Sequence, residues 1–245
     1  MIFDSIYFDM NKTSNKRSII GVCGAQNTGK STFIKDVINS SEADFNVIEG
    51  TTTYREKIKE LNLSINRKGT IESQKIIFNA LCDDIDNTYS TEDGAIVLMD
   101  RTPIDAFVYT VWLYMFHKES NVTKDDINEL FAKLIDTTSK MNHVIYFPVR
   151  YCKNIKLEER ENRDTDETYR KQIDNIFEIV LYFLETYFRI HLVMLYGNRE
   201  ERVNNFIDYY KYNLKTENNI NTLTDLIIES LNSNNRDMGK TECSM

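Results

Sequence analysis

Eight consecutive residues, Gly24-Ala25-Gln26-Asn27-Thr28-Gly29-Lys30-Ser31, carry the most specific chemistry in the chain. Two glycines separated by four residues let the backbone turn tightly, and a lysine and a hydroxyl follow at once. The spacing G-x-x-x-x-G-K-S is a full match to the Walker A phosphate loop. Its chemistry is anion binding. Loop N–H groups and the N-terminus of the following helix offer partial positive charge to a phosphate chain. Lys30 is then expected to reach the β- and γ-phosphates of a nucleoside triphosphate, and the Ser31 hydroxyl to ligate Mg²⁺. Gly24, Gln26, Asn27, Thr28, Gly29 and Thr32 complete the expected nucleotide-holding set. The chain has 8 glycines, and three of them (Gly21, Gly24, Gly29) fall in this one segment, which an ordinary turn does not require.

A second constellation lies at Asp100-Arg101. Phosphoryl transfer needs positioning and charge neutralisation more than covalent chemistry. Asp100 is suited to hold Mg²⁺ through water or to contact an acceptor hydroxyl, and Arg101 to clamp an acceptor or transferred phosphate. Glu49 is a candidate base or acceptor-orienting carboxylate. Tyr54, Arg55 and Asp105 are candidate acceptor-binding residues. The charge-dense segment from Arg150 to Asp166 cannot be core, and the family resemblance given below implies a lid there. Arg163, with Arg160 and Arg170 as substitutes, is its candidate arginine, closing over the transferring phosphate and excluding water.

These residues need elements to hold them. Ser18–Cys23 reads as a short buried strand before the loop, and 31–40 as the helix after it, with Phe33, Ile34, Val37 and Ile38 on one face. Ala95–Asp100 is an unbroken apolar run ending in an acid, the pattern of a central parallel strand beside the first. After it, Thr102 fits an N-cap, Pro103 the first helical residue and Asp105 the acidic first turn. Further strands are expected at 45–49, 143–147 and 191–195. Helices are expected at 54–61, from Thr70 past Ile85, from Pro103 to about Lys118, and at 124–140, 167–188, 199–210 and 223–231. Strands alternating with helices give an α/β fold with a parallel sheet covered on both faces. Residues 1–17 read as an N-terminal extension, 18–231 as one domain with its lid at about 150–170, and 232–245 as a disordered polar tail.

Composition narrows the function. The chain has 245 residues, 41% hydrophobic, and a net charge of −8. That acidic balance disfavours a protein that coats duplex DNA. Four scattered cysteines without a C-x-x-C pair suggest neither a zinc site nor a disulfide framework, so reduced thiols in the cytoplasm are the expectation. No apolar run approaches 18 residues, so no membrane span is expected. A GTPase is disfavoured as well: the Asn15-Lys16 pair is followed by Arg17-Ser18 and precedes the phosphate loop, so it makes no N-K-x-D motif.

The run Asp100-Arg101-Thr102-Pro103-Ile104-Asp105-Ala106-Phe107-Val108-Tyr109 resembles the D-R motif of thymidylate and deoxynucleoside kinases. There the pair ends the third strand and a helix bearing an aromatic residue follows. The layout from Ile19 to Val203 resembles the phage and bacterial AAA-type nucleoside kinases related to the ribosylnicotinamide kinase domain, with Tyr54-Arg55-Glu56 where that family carries a Tyr-x-Arg-Glu-type segment. The chain departs from thymidylate kinases after Glu49, with Gly50 and three threonines in place of a proline-bearing loop. The resemblance implies a three-layer P-loop NTPase fold, a five-stranded parallel sheet in order 2-3-1-4-5 and a helical lid. It also implies ATP and Mg²⁺ as cofactors and a nucleoside or nucleoside monophosphate as acceptor. A kinase acting on a modified base or a nucleic-acid end stays open, as does a P-loop regulatory ATPase or switch. So does a homodimer built on the apolar helix 107–116, which core packing explains equally well.

Overall fold

The computed structural model describes residues 16–40, 46–151 and 166–211. Most of the expected N-terminal extension, the central lid segment with Arg160 and Arg163, the helix expected at 223–231 and the polar tail lie outside the described residues. The described residues form two compact units divided after Val203. In the second, residues 204–211 are helical and the Phe206 and Tyr210 rings lie 5.7 Å apart.

The first unit is an α/β domain. Its elements in chain order are β1 (Ser18–Cys23), α1 (Lys30–Ile38), β2 (Val47–Glu49), α2 (Tyr54–Glu60), α3 (Ile71–Tyr89), β3 (Ile96–Asp100), α4 (Pro103–Phe116), α5 (Lys124–Thr138), β4 (His143–Tyr146), α6 (Glu167–Phe188) and β5 (Leu192–Met194). The five strands make one parallel sheet in the order β2-β3-β1-β4-β5. A one-turn 3₁₀ helix at Asn66–Lys68, absent from the sequence reading, leads into α3.

The central strands are apolar because both of their faces are covered. In β1 the residues Ile19 to Cys23 are all buried, as is the whole of β3. The edge strands β2 and β5 are shorter than expected, three residues each, and only partly buried. α1 lies against β2 and β3, while α4 packs on α3, α5 and α6. α4 is almost wholly buried as far as Leu113; its last three residues, Tyr114, Met115 and Phe116, are exposed. Core packing therefore accounts for most of its apolar sequence. Caps fix the helix starts as read: Thr70 with Ser73 and Thr102 with Asp105 each form reciprocal capping boxes.

The topology brings the two motifs together. β1 and β3 are neighbours and parallel, with Val22 in register with Asp100. Both motifs leave the sheet at the same carboxyl edge, the place where ligands bind in open α/β sheets. One backbone bond ties the exits, from Arg101 N–H to the Val22 carbonyl at 3.2 Å.

At the start of β4, the His143 ring lies 5.4 Å from that of His191, which immediately precedes β5. Burial, reinforced by the neighbouring His191, holds the His143 imidazole down at about 4. Unfolding releases it to an ordinary value near 6.5. Between those values the unfolded chain binds a proton that the folded chain refuses, so stability falls as pH drops through this window. Denaturant titrations should find that wild type loses on the order of 1–2 kcal/mol more than His143→Phe between pH 7 and pH 5. Equal losses would remove His143 as the cause.

Candidate functional site

The phosphate loop starts at a glycine that the fold demands. Gly24 has φ 139°, and a Cβ there would stand 2.9 Å from the Phe147 carbonyl oxygen. Beyond it the loop wraps the Lys30 ammonium. Nζ donates to the carbonyl oxygens of Gly24 at 2.7 Å and Ala25 at 2.6 Å, and to Thr28 Oγ1 at 3.3 Å. The carbonyls further along face outward to arginines. Arg170, from α6, donates to Gln26 O at 3.3 Å and Asn27 O at 3.5 Å. Arg202 donates to Thr28 O at 2.9 Å and to Gly197 O at 3.0 Å, with its guanidinium 5.1 Å from the Phe147 ring centroid. The left-handed residues Asn27 and Gly29 give the loop the kind of backbone from which anion-binding nests are built.

Lys30 is buried, and its pKa is pulled down to about 7. Desolvation is the main cause and the Arg101 charge adds to it; Asp105 and Asp100 oppose both.

Across the loop stands Asp100. Its Oδ2 accepts from Ser31 Oγ at 2.7 Å and from Arg55 Nη2 at 2.6 Å. Burial alone would raise the Asp100 carboxyl, but the Ser31 bond and the charges of Arg101, Lys30 and Arg55 outweigh it and leave the pKa below the usual carboxylate value. Arg101 has φ 89°, a left-handed conformation that costs a non-glycine residue of order 1 kcal/mol or more and is commonly kept at functional sites. Its Nη1 donates to Asp105 Oδ1 at 2.9 Å and to Gly24 O at 3.3 Å. The other Asp105 oxygen accepts from the Thr102 amide at 2.9 Å, while Oδ1 also takes the Gly24 amide at 3.4 Å. Asp105 therefore bolts the two motifs together. The Tyr109 hydroxyl donates to Gln26 Oε1 in the loop.

These groups open onto one cleft of about 690 Å³. Gln26 to Thr32 line it, as do Tyr54, Arg55, Asp100, Arg101 and Asp105. Gly24 contributes its carbonyl from behind. Glu49 is exposed at the end of β2 and is not among the cleft-lining residues. At the next residue Gly50 N–H bonds the Leu98 carbonyl at 2.9 Å, which a proline there could not do, and a Cβ there would collide with Met99 Sδ.

Three residues escaped the sequence reading as site residues, and a fourth, named there as a lid candidate, holds a different place. Gln74 is buried and lines the cleft. Asp84 is buried in α3 and accepts from the Thr53 amide at 2.8 Å and the Thr53 hydroxyl at 3.0 Å, fixing the start of α2 and hence Tyr54 and Arg55. Arg202, and Arg170 in its loop-bracing role, are the other two. A polar residue at a core-facing helical position, such as Gln74 and Asp84 beside Ile77 and Leu81, was the available signal.

Solved structures with this architecture follow from the comparison of folds. A NadR protein solved with NAD and AMP-PNP matches with TM-score 0.54 at 18% identity, over 78% of this chain and 48% of that one. Thymidylate kinase from Candida albicans matches with TM-score 0.57 at 14% identity, over 81% and 92%. Deoxyadenosine kinase from M. mycoides with bound dATP matches with TM-score 0.50 at 15% identity, over 81% and 99%. This is the fold of the P-loop nucleoside and nucleotide kinases. The chain spans about half the length of the NadR chains it matches. No family model matches the sequence, and no curated protein does either. Among the described residues, no helix of this P-loop chain is long and apolar enough to cross a membrane.

A lysine near half-protonation at neutral pH should take up a proton when phosphates neutralise its surroundings. Calorimetry of ADP binding at pH 8, repeated in buffers of different ionisation enthalpy, should register net uptake of a substantial fraction of a proton by wild type. Lys30→Ala should bind at least about tenfold more weakly and take up none. Proton-neutral binding by wild type would contradict the lowered pKa.

Proposed function

We propose that this chain is an ATP-dependent kinase that transfers the γ-phosphoryl group to a nucleoside or a nucleoside monophosphate. The observation that carries the reading is the continuity of the cleft. The loop around Lys30 and Ser31, the Asp100 carboxylate, the apolar side chains of Ile58, Ile65, Ile77, Leu81 and Ala106, and the amides of Gln74 and Asn66 all line it. Apolar side chains with amides among them suit a planar heteroaromatic base, and the cleft's volume is in the range of small-molecule sites.

The residues present fit a magnesium ion. Ser31 Oγ and Asp100 Oδ2 lie 2.7 Å apart at the loop's end, and that carboxylate already attracts a cationic group. Among the described residues no cluster of three or more His, Cys, Asp or Glu could hold a metal alone. Mg²⁺ at phosphoryl-transfer sites commonly takes one or two protein oxygens and completes its shell with phosphates and water. When bound, the ion would neutralise charge on the phosphate oxygens. Lys30 and the loop amides would hold the donor phosphates, and Asp100 would orient the cation side. The acceptor oxygen bonds to the γ-phosphorus as the bond to the bridging oxygen breaks. ADP leaves with that electron pair, and the acceptor proton passes to water. Arg163 and Arg160 retain the proposed lid role. Arg170 instead braces the loop from behind.

ADP release measured across nucleosides, nucleoside monophosphates and oligonucleotides tests the reading. It should be acceptor-dependent with at least one nucleoside or monophosphate. Lys30→Ala and Asp100→Asn should each reduce kcat/KM by roughly 10²-fold or more. Hydrolysis indifferent to every acceptor would favour a nucleotide switch, and turnover intact in Lys30→Ala would refute the site.

A further inference from the structure

Asp100 and Arg55 form an uneven pair. The carboxylate is fixed in the cleft wall with 3% of its side chain exposed, whereas the arginine side chain is 53% exposed. The backbone under Arg55 is anchored, since Asp84 grips Thr53 at the start of α2. Its head, on a long flexible stem, reaches Asp100 from the solvent side and donates from Nε to the Tyr54 hydroxyl at 3.0 Å. The other cations nearby are committed differently. Arg101 is held by Asp105 and the Gly24 carbonyl, and Lys30 by loop oxygens. Arg55 alone among these three both touches Asp100 and is half in water.

Its guanidinium sits on Oδ2, the oxygen that Ser31 also contacts. The fit of magnesium argued above uses this same oxygen–hydroxyl pair. Two cations crowded on one carboxylate oxygen repel each other, and the cleft screens that repulsion less than bulk water does. Resting on the kinase reading, we propose that Arg55 is the resident counter-ion of Asp100 in the nucleotide-free protein, and that it yields this carboxylate to the divalent cation arriving with the nucleotide. Arg55 then keeps an exposed positive charge at the cleft, where an anionic acceptor group can use it. The pair acts as a reversible placeholder: it prevents Asp100 from standing as an uncompensated buried charge, at the cost of competing with metal.

Mn²⁺ binding tests this without turnover. Free Mn²⁺ is followed by electron paramagnetic resonance in the presence of saturating ADP, for wild type, Arg55→Gln, Arg55→Lys, Asp100→Asn and the double variant Arg55→Gln/Asp100→Asn. Arg55→Gln should bind Mn²⁺ about tenfold more tightly than wild type, with Arg55→Lys between them. The gain should vanish when Asp100 is Asn, because the two residues act through one contact. Circular dichroism confirms that each variant is folded. Mn²⁺ affinity unchanged or weakened in Arg55→Gln, while Asp100→Asn still weakens it in the wild-type background, overturns the exchange and leaves the kinase reading standing. Mn²⁺ binding indifferent to Asp100→Asn overturns both.

Discussion

The structure depends on keeping an ammonium group in a place where water cannot solvate it. Lys30 is buried, and its three hydrogen-bond partners are all neutral oxygens. A pKa drawn from 10.5 to about 7 corresponds to a penalty of roughly 5 kcal/mol for charging it there. An anion in the loop would recover that free energy. The surrounding elements hold the loop around the lysine: β1 and β3 run in register beside each other, and arginines bond the Gln26 and Thr28 carbonyls.

Charge around the loop is arranged in two unlike pairs. Arg101 and Asp105 are closed on each other and on the loop backbone, and they join the phosphate loop to the D-R turn. They brace that junction while lining the cleft, and the left-handed backbone at Arg101 is the strain accepted there. Asp100 and Arg55 are open, with one partner at the solvent side. A carboxylate that must meet a metal cannot be satisfied permanently by a rigid cation. A half-exposed arginine satisfies it while remaining displaceable.

Much of this was legible in the sequence because the signals are local. The phosphate loop is a contiguous motif whose conformation is set by its own glycines. The caps at Thr70 and Thr102 are reciprocal bonds over three residues, and α6 spans Glu167–Phe188 as read, its buried residues running from Tyr169 to Leu184. The strand order came with the resemblance and holds in the sheet. What the sequence did not disclose are tertiary assignments. Arg170 looks like any polar residue near a lid until α6 carries it to the Gln26 and Asn27 carbonyls. Arg202 meets Thr28 across 174 positions. Glu49 had the right chemistry at a strand end, but whether a strand-end side chain enters the cleft depends on how far the edge strand extends, and β2 is only three residues long. The strand was expected to stop at Glu49, whereas Gly50 extends the ladder by one bond in a space too tight for a Cβ.

The central claim is that a triphosphate fills the space around Lys30 with Asp100 on its metal side. A crystal structure with AMP-PNP and Mg²⁺ tests it most directly. The account predicts β- and γ-phosphates inside the Gly24–Ser31 loop, Lys30 Nζ turned onto them from the Gly24 and Ala25 carbonyls, and the Asp100 carboxylate directed at the ion. A nucleotide bound away from this loop, or phosphates in it that Lys30 and Asp100 both ignore, would contradict it.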